Sequence, residues 1–244
     1  QISTFMAQVL MGTTDVVMDH QEKKELQRKF INPELCDITE ALVYTEPYND
    51  ELKRNHVFPP IAEFVKETLY DDQELHCEVA KLKMDFMTRA QSLIHGDLHT
   101  GSVFINEEST KVFDPEFCFY GPMGYDIGNV IANMIFAWAN GDAVGAEEFC
   151  NWVENVLVDV VNMTKEKMEK YYEEHVTDTM CKNELYRKYY MATIIEDTSA
   201  VTGLELIRRI VGMANVKDIT SIEDEAKRAR AEKICITAAV DFIK

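Results

Sequence analysis

The stretch Leu93-Ile94-His95-Gly96-Asp97-Leu98-His99-Thr100-Gly101-Ser102, with Asp114-Pro115-Glu116-Phe117 shortly after it, decides the fold of this 244-residue chain. Between the two stretches, Val103-Phe104-Ile105 and Lys111-Val112-Phe113 are short apolar runs around the turn-like segment Asn106 to Thr110. Apolar runs that flank a polar turn predict a β-hairpin. Because a hairpin brings the chain back on itself, we expect the second stretch to lie beside the first.

Helical patterns precede this hairpin. An apolar spacing around Phe5 predicts an opening helix, and Asp19 to Phe30 is a charged helical segment. Asn32-Pro33-Glu34 and Pro59-Pro60 carry residues typical of helix starts. A further helix, with Leu75 to Phe86 as its apolar positions, is expected to run directly into the His95 loop.

Helical patterns also follow the hairpin. Apolar residues from Ile127 to Trp138 recur every three or four positions, which predicts a buried helix. Phe149 to Val161 repeats that spacing, and two more helical patterns cover Tyr186 to Ile210 and Glu225 to Ile243. Since the chain has no internal repeat and no Pro-rich linker, we predict one mainly α-helical domain over residues 1–244 with a small β-hairpin.

Composition excludes several classes of protein. A formal net charge of -18 disfavours binding to nucleic acid and to anionic membranes, and no apolar run approaches the ~18 residues of a membrane span. The 6 cysteines form no C-x-x-C pair and no zinc spacing, so we expect reduced thiols and a cytoplasmic protein. The Met- and Tyr-rich segments between Met163 and Tyr190 are expected to pack in the core.

Asp97 and Asp114 have the order of the two carboxylates of a kinase-type phosphotransferase. In such enzymes an Asp in a His-x-Asp-Leu loop orients the acceptor hydroxyl, and a second Asp after a short hairpin binds Mg²⁺. We therefore predict that Asp97 is the catalytic base and that Asp114 is a metal ligand. The alternative role for Asp97 is to cap the backbone of its own turn.

Glu116 is the predicted second metal ligand. Protein kinases place an Asn five residues after the catalytic Asp, whereas this chain has Ser102 there, a weaker ligand. Because Mg²⁺ prefers anionic oxygens, a carboxylate two residues after Asp114 could replace the missing donor. The alternative for Glu116 is a solvent-facing acid in a loop.

Other polar residues near the motifs are expected to have structural roles. We expect His95 and His99 to fix the backbone of their loop by hydrogen bonds, and Asp126 to accept backbone N–H groups and brace that loop. Arg208 and Arg209 are adjacent, so on a helix they should point about 100° apart and not share one bidentate partner. From the residues alone, a surface pair and a phosphate-binding pair are equally good interpretations.

The joint motifs resemble one family closely. The loop from His95 to Ser102, Asp114-Pro115-Glu116-Phe117, the segment Tyr120 to Gly128, and Arg208-Arg209 followed by Val211-Gly212-Met213-Ala214 are together similar to the 5-methylthioribose kinase family. That family belongs to the aminoglycoside phosphotransferase-like and choline kinase-like group. The segment Leu26 to Cys36 is similar as well, and the resemblance covers essentially all of the chain.

The resemblance implies an enzyme that transfers phosphate from ATP, with Mg²⁺, to the C1 hydroxyl of 5-methylthioribose in methionine salvage, and that is typically a homodimer. It implies that Asp97 is the base and contacts substrate, that Asp114 and Glu116 bind metal, and that Arg208 and Arg209 belong to the sugar and phosphate site. The alternatives are a kinase of the same group for an aminoglycoside, choline or homoserine, and a catalytically silent binding or dimerisation lobe.

The chain departs from the family pattern in its N-terminal part. It opens at Gln1, and Gly12 is the only glycine before Gly96, so the Gly-rich loop, the strand lysine and the hinge strand that hold ATP have no counterpart. We therefore expect residues 1–244 to be the C-terminal lobe of a protein-kinase-like α+β fold. We also expect this truncated chain to be inactive alone.

Overall fold

The computed structural model describes residues 1–244, and most of them are helical. The longer helices are α1 (Ile2–Gly12), α2 (His20–Lys29), α3 (Pro33–Leu42), α6 (Gln73–Thr88), α7 (Gly124–Val144), α8 (Glu147–His175), α9 (Glu184–Val211) and α11 (Glu225–Ile243). The short ones are α4 (Glu46–Asn49), α5 (Ala62–Val65) and α10 (Lys217–Thr220). The strands are β1 (Ser92–Ile94), β2 (Val103–Ile105), β3 (Thr110–Val112) and β4 (Phe119–Gly121).

The strands form two separate antiparallel pairs. The predicted hairpin is β2–β3, in which Val103 lies opposite Val112. The second pair, β1–β4, places Leu93 opposite Tyr120 and was not predicted from the sequence. Strand β1 therefore enters the His95 loop, and the expectation that helix α6 leads directly into the loop was wrong. Three-residue strands carry too few positions for an alternating pattern to be visible in the sequence.

Helix α7 is the centre of the core. Its apolar side packs mainly on α9 and also on α8, with Phe136 fully buried. The close approach of α7 and α9 depends on Gly128, where an added Cβ would lie 2.8 Å from the backbone nitrogen of Thr202. The predicted buried helix is confirmed, and Asp126 in its first turn bonds the backbone of the His95 loop.

Two predicted faces differ from the structure. The helix predicted over Phe149 to Val161 exists within α8, but Trp152 is 60% exposed and only the Val153 side of the spacing is buried. The Tyr-rich part is likewise divided, since Tyr172 and Tyr190 are buried and Tyr189 is exposed. In both segments the apolar residues cover a wider face of the helix than the neighbouring helices bury, so some of them remain exposed.

The segments before the hairpin include two short stretches that are not regular α-helix and one buried lysine. Pro59 begins a 3₁₀ turn (Pro59–Ile61), which passes through α5 into a π-helical turn (Lys66–Tyr70). In the charged helix α2, Lys23 is buried and donates to Asp15 and to the Ala90 carbonyl. None of the helices is long and apolar enough to cross a lipid bilayer.

Candidate active site

The His95 loop is held from beneath by Asp126, in the first turn of α7. One carboxylate oxygen of Asp126 accepts the His95 N–H at 2.7 Å, and the other accepts the Gly96 N–H at 3.0 Å. Asp126 is 1% exposed, and burial raises its pKa to about 6 although both N–H bonds oppose the increase. The predicted bracing role of Asp126 is therefore confirmed, and it does not cap its own helix.

Gly96 brings the two carboxylate loops into contact. Its φ of +82° lies in the left-handed region, and an added Cβ would meet the Phe117 carbonyl oxygen at 2.3 Å. Both conditions restrict this position to glycine. The residue before it, His95, accepts the Asp97 N–H at Nδ1 and bonds the Phe113 carbonyl through Nε2 at 2.9 Å. His95 thus has the structural role predicted for it, and it ties the loop to the residue before Asp114.

Ser102 and His99 close the other end of the loop. The Ser102 hydroxyl accepts the His99 N–H at 3.1 Å and donates to the carbonyl of His99 at 2.8 Å, while the carbonyl of Asp97 lies 3.2 Å away. The buried hydroxyl is therefore occupied by backbone groups. His99 accepts the Gly101 N–H at Nδ1, which assigns its proton to Nε2.

Asp97 projects from this loop into a cluster of donors. Its Oδ1 accepts a hydrogen bond from Arg208 at 2.9 Å and lies 3.5 Å from an Arg209 nitrogen. Its Oδ2 lies 3.5 Å from Nε2 of His99. Burial alone would raise the pKa of Asp97, but the His99 hydrogen bond and the two guanidinium groups lower it well below its usual range. Asp97 is therefore ionised near neutral pH.

Arg208 and Arg209 share their partners, so the expectation that adjacent arginines could not do so was wrong. Both place a terminal nitrogen near Oδ1 of Asp97, and both donate Nε to one buried carboxylate, that of Glu205. Long side chains bend across the helix surface, which removes the limit set by their Cα directions. Burial disfavours the charged form of Arg208, yet Glu205, Tyr125 and Asp97 raise its pKa above the usual value.

Glu205 was missed by the sequence analysis. It is 1% exposed, in the last third of α9, and precedes the two arginines by three and four positions. That spacing is the one at which helix side chains meet, and it could have indicated the contact. Asn183 is the N-cap of helix α9, and its side chain accepts the backbone N–H groups of Leu185 and Tyr186.

Asp114 and Glu116 lie beyond β3, where the contacts of His95 and Gly96 hold their segment against the loop. Both side chains are exposed, and neither has a hydrogen-bond or ion-pair partner among the residues of this chain. Asp114 has a φ of +65°, which turns the chain sharply after the hairpin. No third His, Cys, Asp or Glu joins them in a metal-binding group. Two free carboxylates suit Mg²⁺, which keeps several waters and substrate phosphates in its shell.

Comparisons with known proteins identify the family of this chain. Residues 26–152, from α2 to the start of α8, match the phosphotransferase enzyme family. A methylthioribose kinase of Bacillus pumilus is 35% identical over 243 residues, which are 100% of this chain and 60% of the relative. One of Erwinia tasmaniensis is 38% identical and covers 100% of this chain and 61% of the relative.

A plant protein extends the comparison. Methylthioribose kinase 1 of Oryza sativa is 34% identical over 265 residues, with 100% of this chain and 60% of the relative covered. The chain thus spans about three fifths of the length of the curated relatives it matches. Because the matched segment covers more than half of the chain and contains the His95 loop, the chain belongs to the phosphotransferase enzyme family.

Proposed function

We propose that this chain carries the acceptor and metal half of the active site of a methylthioribose kinase. The reaction is transfer of the γ-phosphoryl group of ATP to the C1 hydroxyl of 5-methylthioribose, which gives 5-methylthioribose 1-phosphate. The single observation that supports it most is the cluster of Asp97, Arg208 and Arg209 beside the loop that carries Asp114 and Glu116. The choice of methylthioribose as the acceptor rests on the names of the relatives.

Asp97 orients the acceptor hydroxyl and accepts its proton as the new P–O bond forms and the bond to the leaving oxygen breaks. Phosphoryl transfer asks for position more than for basicity, because the transition state is loose and the nucleophile needs little activation. The low pKa of Asp97 agrees with this division of roles. Its Oδ2, approached only by His99, is the oxygen left for the substrate.

Arg208 and Arg209 stabilise negative charge on the group in transfer. Their guanidinium groups are always protonated, and their planar forks suit phosphate oxygens. Asp114 and Glu116 would hold Mg²⁺, which neutralises charge on the nucleotide phosphates when it is bound. The exposed, unpaired state of both carboxylates fits that role.

Residues 1–244 contain no Gly-rich loop, and no strand with a lysine precedes the His95 loop to bind the phosphates of ATP. We propose that these groups lie outside the 244 residues, which form the C-terminal lobe, and that this chain alone is inactive. A cytoplasmic location and a homodimer are part of the same proposal, supported by the resemblance to the family. A kinase for choline, homoserine or an aminoglycoside, and a silent binding lobe, are the competing functions.

The test uses the product of the complete reading frame that contains these residues, with the 244-residue chain measured in parallel. ADP release is followed with Mg²⁺, ATP and one acceptor at a time: methylthioribose, choline, homoserine or an aminoglycoside. ³¹P NMR identifies the phosphorylated position. We expect turnover with methylthioribose and with none of the other three acceptors, and a product that carries its phosphate at C1. Preference for another acceptor would replace the proposed substrate, and no turnover with any acceptor would favour the silent lobe.

A further inference from the structure

We propose that Glu205 is a positioning residue that holds Arg208 and Arg209 as one rigid unit aimed at Asp97. The inference rests on the proposed function for its kinetic consequences, but its geometric content stands alone. It goes beyond the loop motifs, which do not include Glu205.

The first observation is the division of each arginine between two carboxylates. The Nε groups of both arginines donate to Glu205, that of Arg209 to Oε1 at 2.9 Å and that of Arg208 to Oε2. Their terminal nitrogens are left to face Oδ1 of Asp97. Arg208 is hydrogen-bonded to both carboxylates, and Arg209 is hydrogen-bonded to Glu205 with Asp97 3.5 Å from its terminal nitrogen. A guanidinium held in this way has little rotational freedom, so both groups are oriented before substrate arrives.

The second observation is burial. Glu205 is 1% exposed, and no groups besides the two arginines hydrogen-bond its side chain. A buried carboxylate is retained at a large desolvation cost unless it is paired, and here the pairing uses the two residues that reach the base. Glu205 also supplies the charge that allows two adjacent cations to point in one direction.

The third observation is the charge of the cluster. Asp97 and Glu205 carry two negative charges, and Arg208 and Arg209 carry two positive charges, so the group is neutral with His99 uncharged. Without Glu205 the cluster would hold an excess positive charge, and the arginines would repel each other. We therefore expect them to separate, which moves at least one fork away from the reacting phosphoryl group.

The principal variant is Glu205→Gln, which keeps the shape of the side chain and removes its charge. We expect kcat for the reading-frame product to fall by about 10²-fold, because a misplacement of about 1 Å in a catalytic group has that effect. KM for ATP should stay within about twofold, since Glu205 does not contact Asp114 or Glu116, the proposed metal ligands. A kcat within about twofold of the wild-type value would overturn the proposal.

Glu232→Gln is the matched control. Glu232 is also 1% exposed and also accepts an arginine Nε, from Arg228 at 2.8 Å, in a helix and at a spacing of four residues. It has no bond to Asp97 or to the arginine pair. The control should keep its kcat, and its thermal stability shows the effect of neutralising a buried carboxylate away from the site. Equal losses of kcat in the two variants would show that Glu205 matters only for stability.

A double-mutant cycle separates positioning from an independent effect. If Glu205 acts through the arginines, Glu205→Gln combined with Arg209→Lys should lower kcat by less than the product of the two single losses. Full additivity would show that Glu205 acts on the reaction without them, and would overturn the proposal.

Phenylglyoxal labelling, read by mass spectrometry at each arginine, needs no activity. In the wild-type protein Arg208 and Arg209 should react far more slowly than Arg28, which is 76% exposed, and Glu205→Gln should accelerate both. Rapid wild-type labelling of the pair would overturn the proposal even if the variant does not fold. If the expected labelling is found without methylthioribose kinase activity, the proposed function fails and the positioning role remains.

Discussion

The carboxylate of Asp97 and those of Asp114 and Glu116 belong to loops in direct contact, yet their surroundings are opposite. Asp97 is enclosed by two guanidinium groups and an imidazole N–H, whereas Asp114 and Glu116 are exposed and unpaired. Under the proposed function, the fixed positive charge lies where the acceptor hydroxyl would be oriented. The uncompensated negative charge of Asp114 and Glu116 lies where a divalent cation with its phosphates would enter and leave.

The largest effect is expected at the enclosed carboxylate. Asp97→Asn keeps the shape of the side chain and removes the proton acceptor, so kcat should fall by about 10²–10⁴-fold. Fold and nucleotide affinity should be retained, because the proposed metal ligands Asp114 and Glu116 are unchanged. Steady-state kinetics and nucleotide titration of the reading-frame product give both quantities, and a loss of only a few-fold would remove Asp97 from the role of base.

The next effect concerns the fixed cations. Arg208→Lys and Arg209→Lys should each lower kcat/KM for methylthioribose by about 10–10²-fold, because an ammonium group cannot reproduce the planar fork of a guanidinium. The loss should be larger at Arg208, which donates to Asp97 at 2.9 Å, whereas the Arg209 nitrogen nearest to Asp97 lies 3.5 Å away. ATP dissociation should change little.

Exposed Arg28→Lys serves as the control for the arginine variants, since Arg28 is 76% exposed. Wild-type rates in both Arg208→Lys and Arg209→Lys would contradict the proposal that these arginines stabilise charge in the reaction. Choline and an aminoglycoside, used as acceptors with the same variants, would show whether the effect is tied to methylthioribose.

A third prediction concerns Asp126, whose buried carboxylate holds the backbone of the loop that carries Asp97. Burial raises the folded-state pKa of Asp126 from 3.8 to about 6, so the folded protein binds more protons than the unfolded chain between these values. The contribution of Asp126 to stability is therefore greatest below about pH 4 and decreases as pH rises through about 6, by about 2–3 kcal/mol at 1.36 kcal/mol per pKa unit.

The measurement is urea unfolding of the wild-type protein and of Asp126→Asn from pH 4 to pH 7. Because the Asn side chain does not titrate, the advantage of the wild-type protein over the variant should shrink as pH rises. Parallel stability curves would show that Asp126 does not change protonation in this range.

The smallest effect is expected at the open carboxylates. Glu116→Gln should raise the Mg²⁺ concentration for half-maximal rate by about tenfold, since one of the two carboxylates that would hold the metal loses its charge. Ser102→Ala should raise it less, because the Ser102 hydroxyl is already bonded to backbone groups.

Glu108→Gln is the control in the metal experiment, because Glu108 is exposed in the turn between β2 and β3. It should leave the Mg²⁺ dependence unchanged. A stronger effect of Ser102→Ala than of Glu116→Gln would place the metal on the loop side and reverse the contrast between the two regions.

Local sequence carried the features that depend on neighbouring residues. The hairpin β2–β3, the start of α3 at Pro33 and the buried helix α7 each follow from residues within one or two turns of chain. The second strand pair joins residues about 27 positions apart and gives no local signal. It was found only in the structure.

Charged residues were hardest to place from sequence. Lys23 lies in a charged helix whose sequence predicts solvent exposure, and Glu205 lies in an apolar stretch of α9. Both are buried because a partner of opposite charge compensates theirs. Burial of a charge depends on where the opposite charge lies in space. For Lys23 that partner is Asp15, eight positions away, outside the range of helical spacing.

The contact of Gly96 with Phe117 has a consequence for the tolerance of this chain to mutation. Any side chain at position 96 would have to displace the Phe117 backbone, which lies one residue after Glu116. In a saturation library selected for activity, position 96 should therefore return glycine alone, whereas selection for folding alone should tolerate alanine more often. The frequency of alanine in the two selections would measure how closely the spacing between the two loops must be kept for turnover.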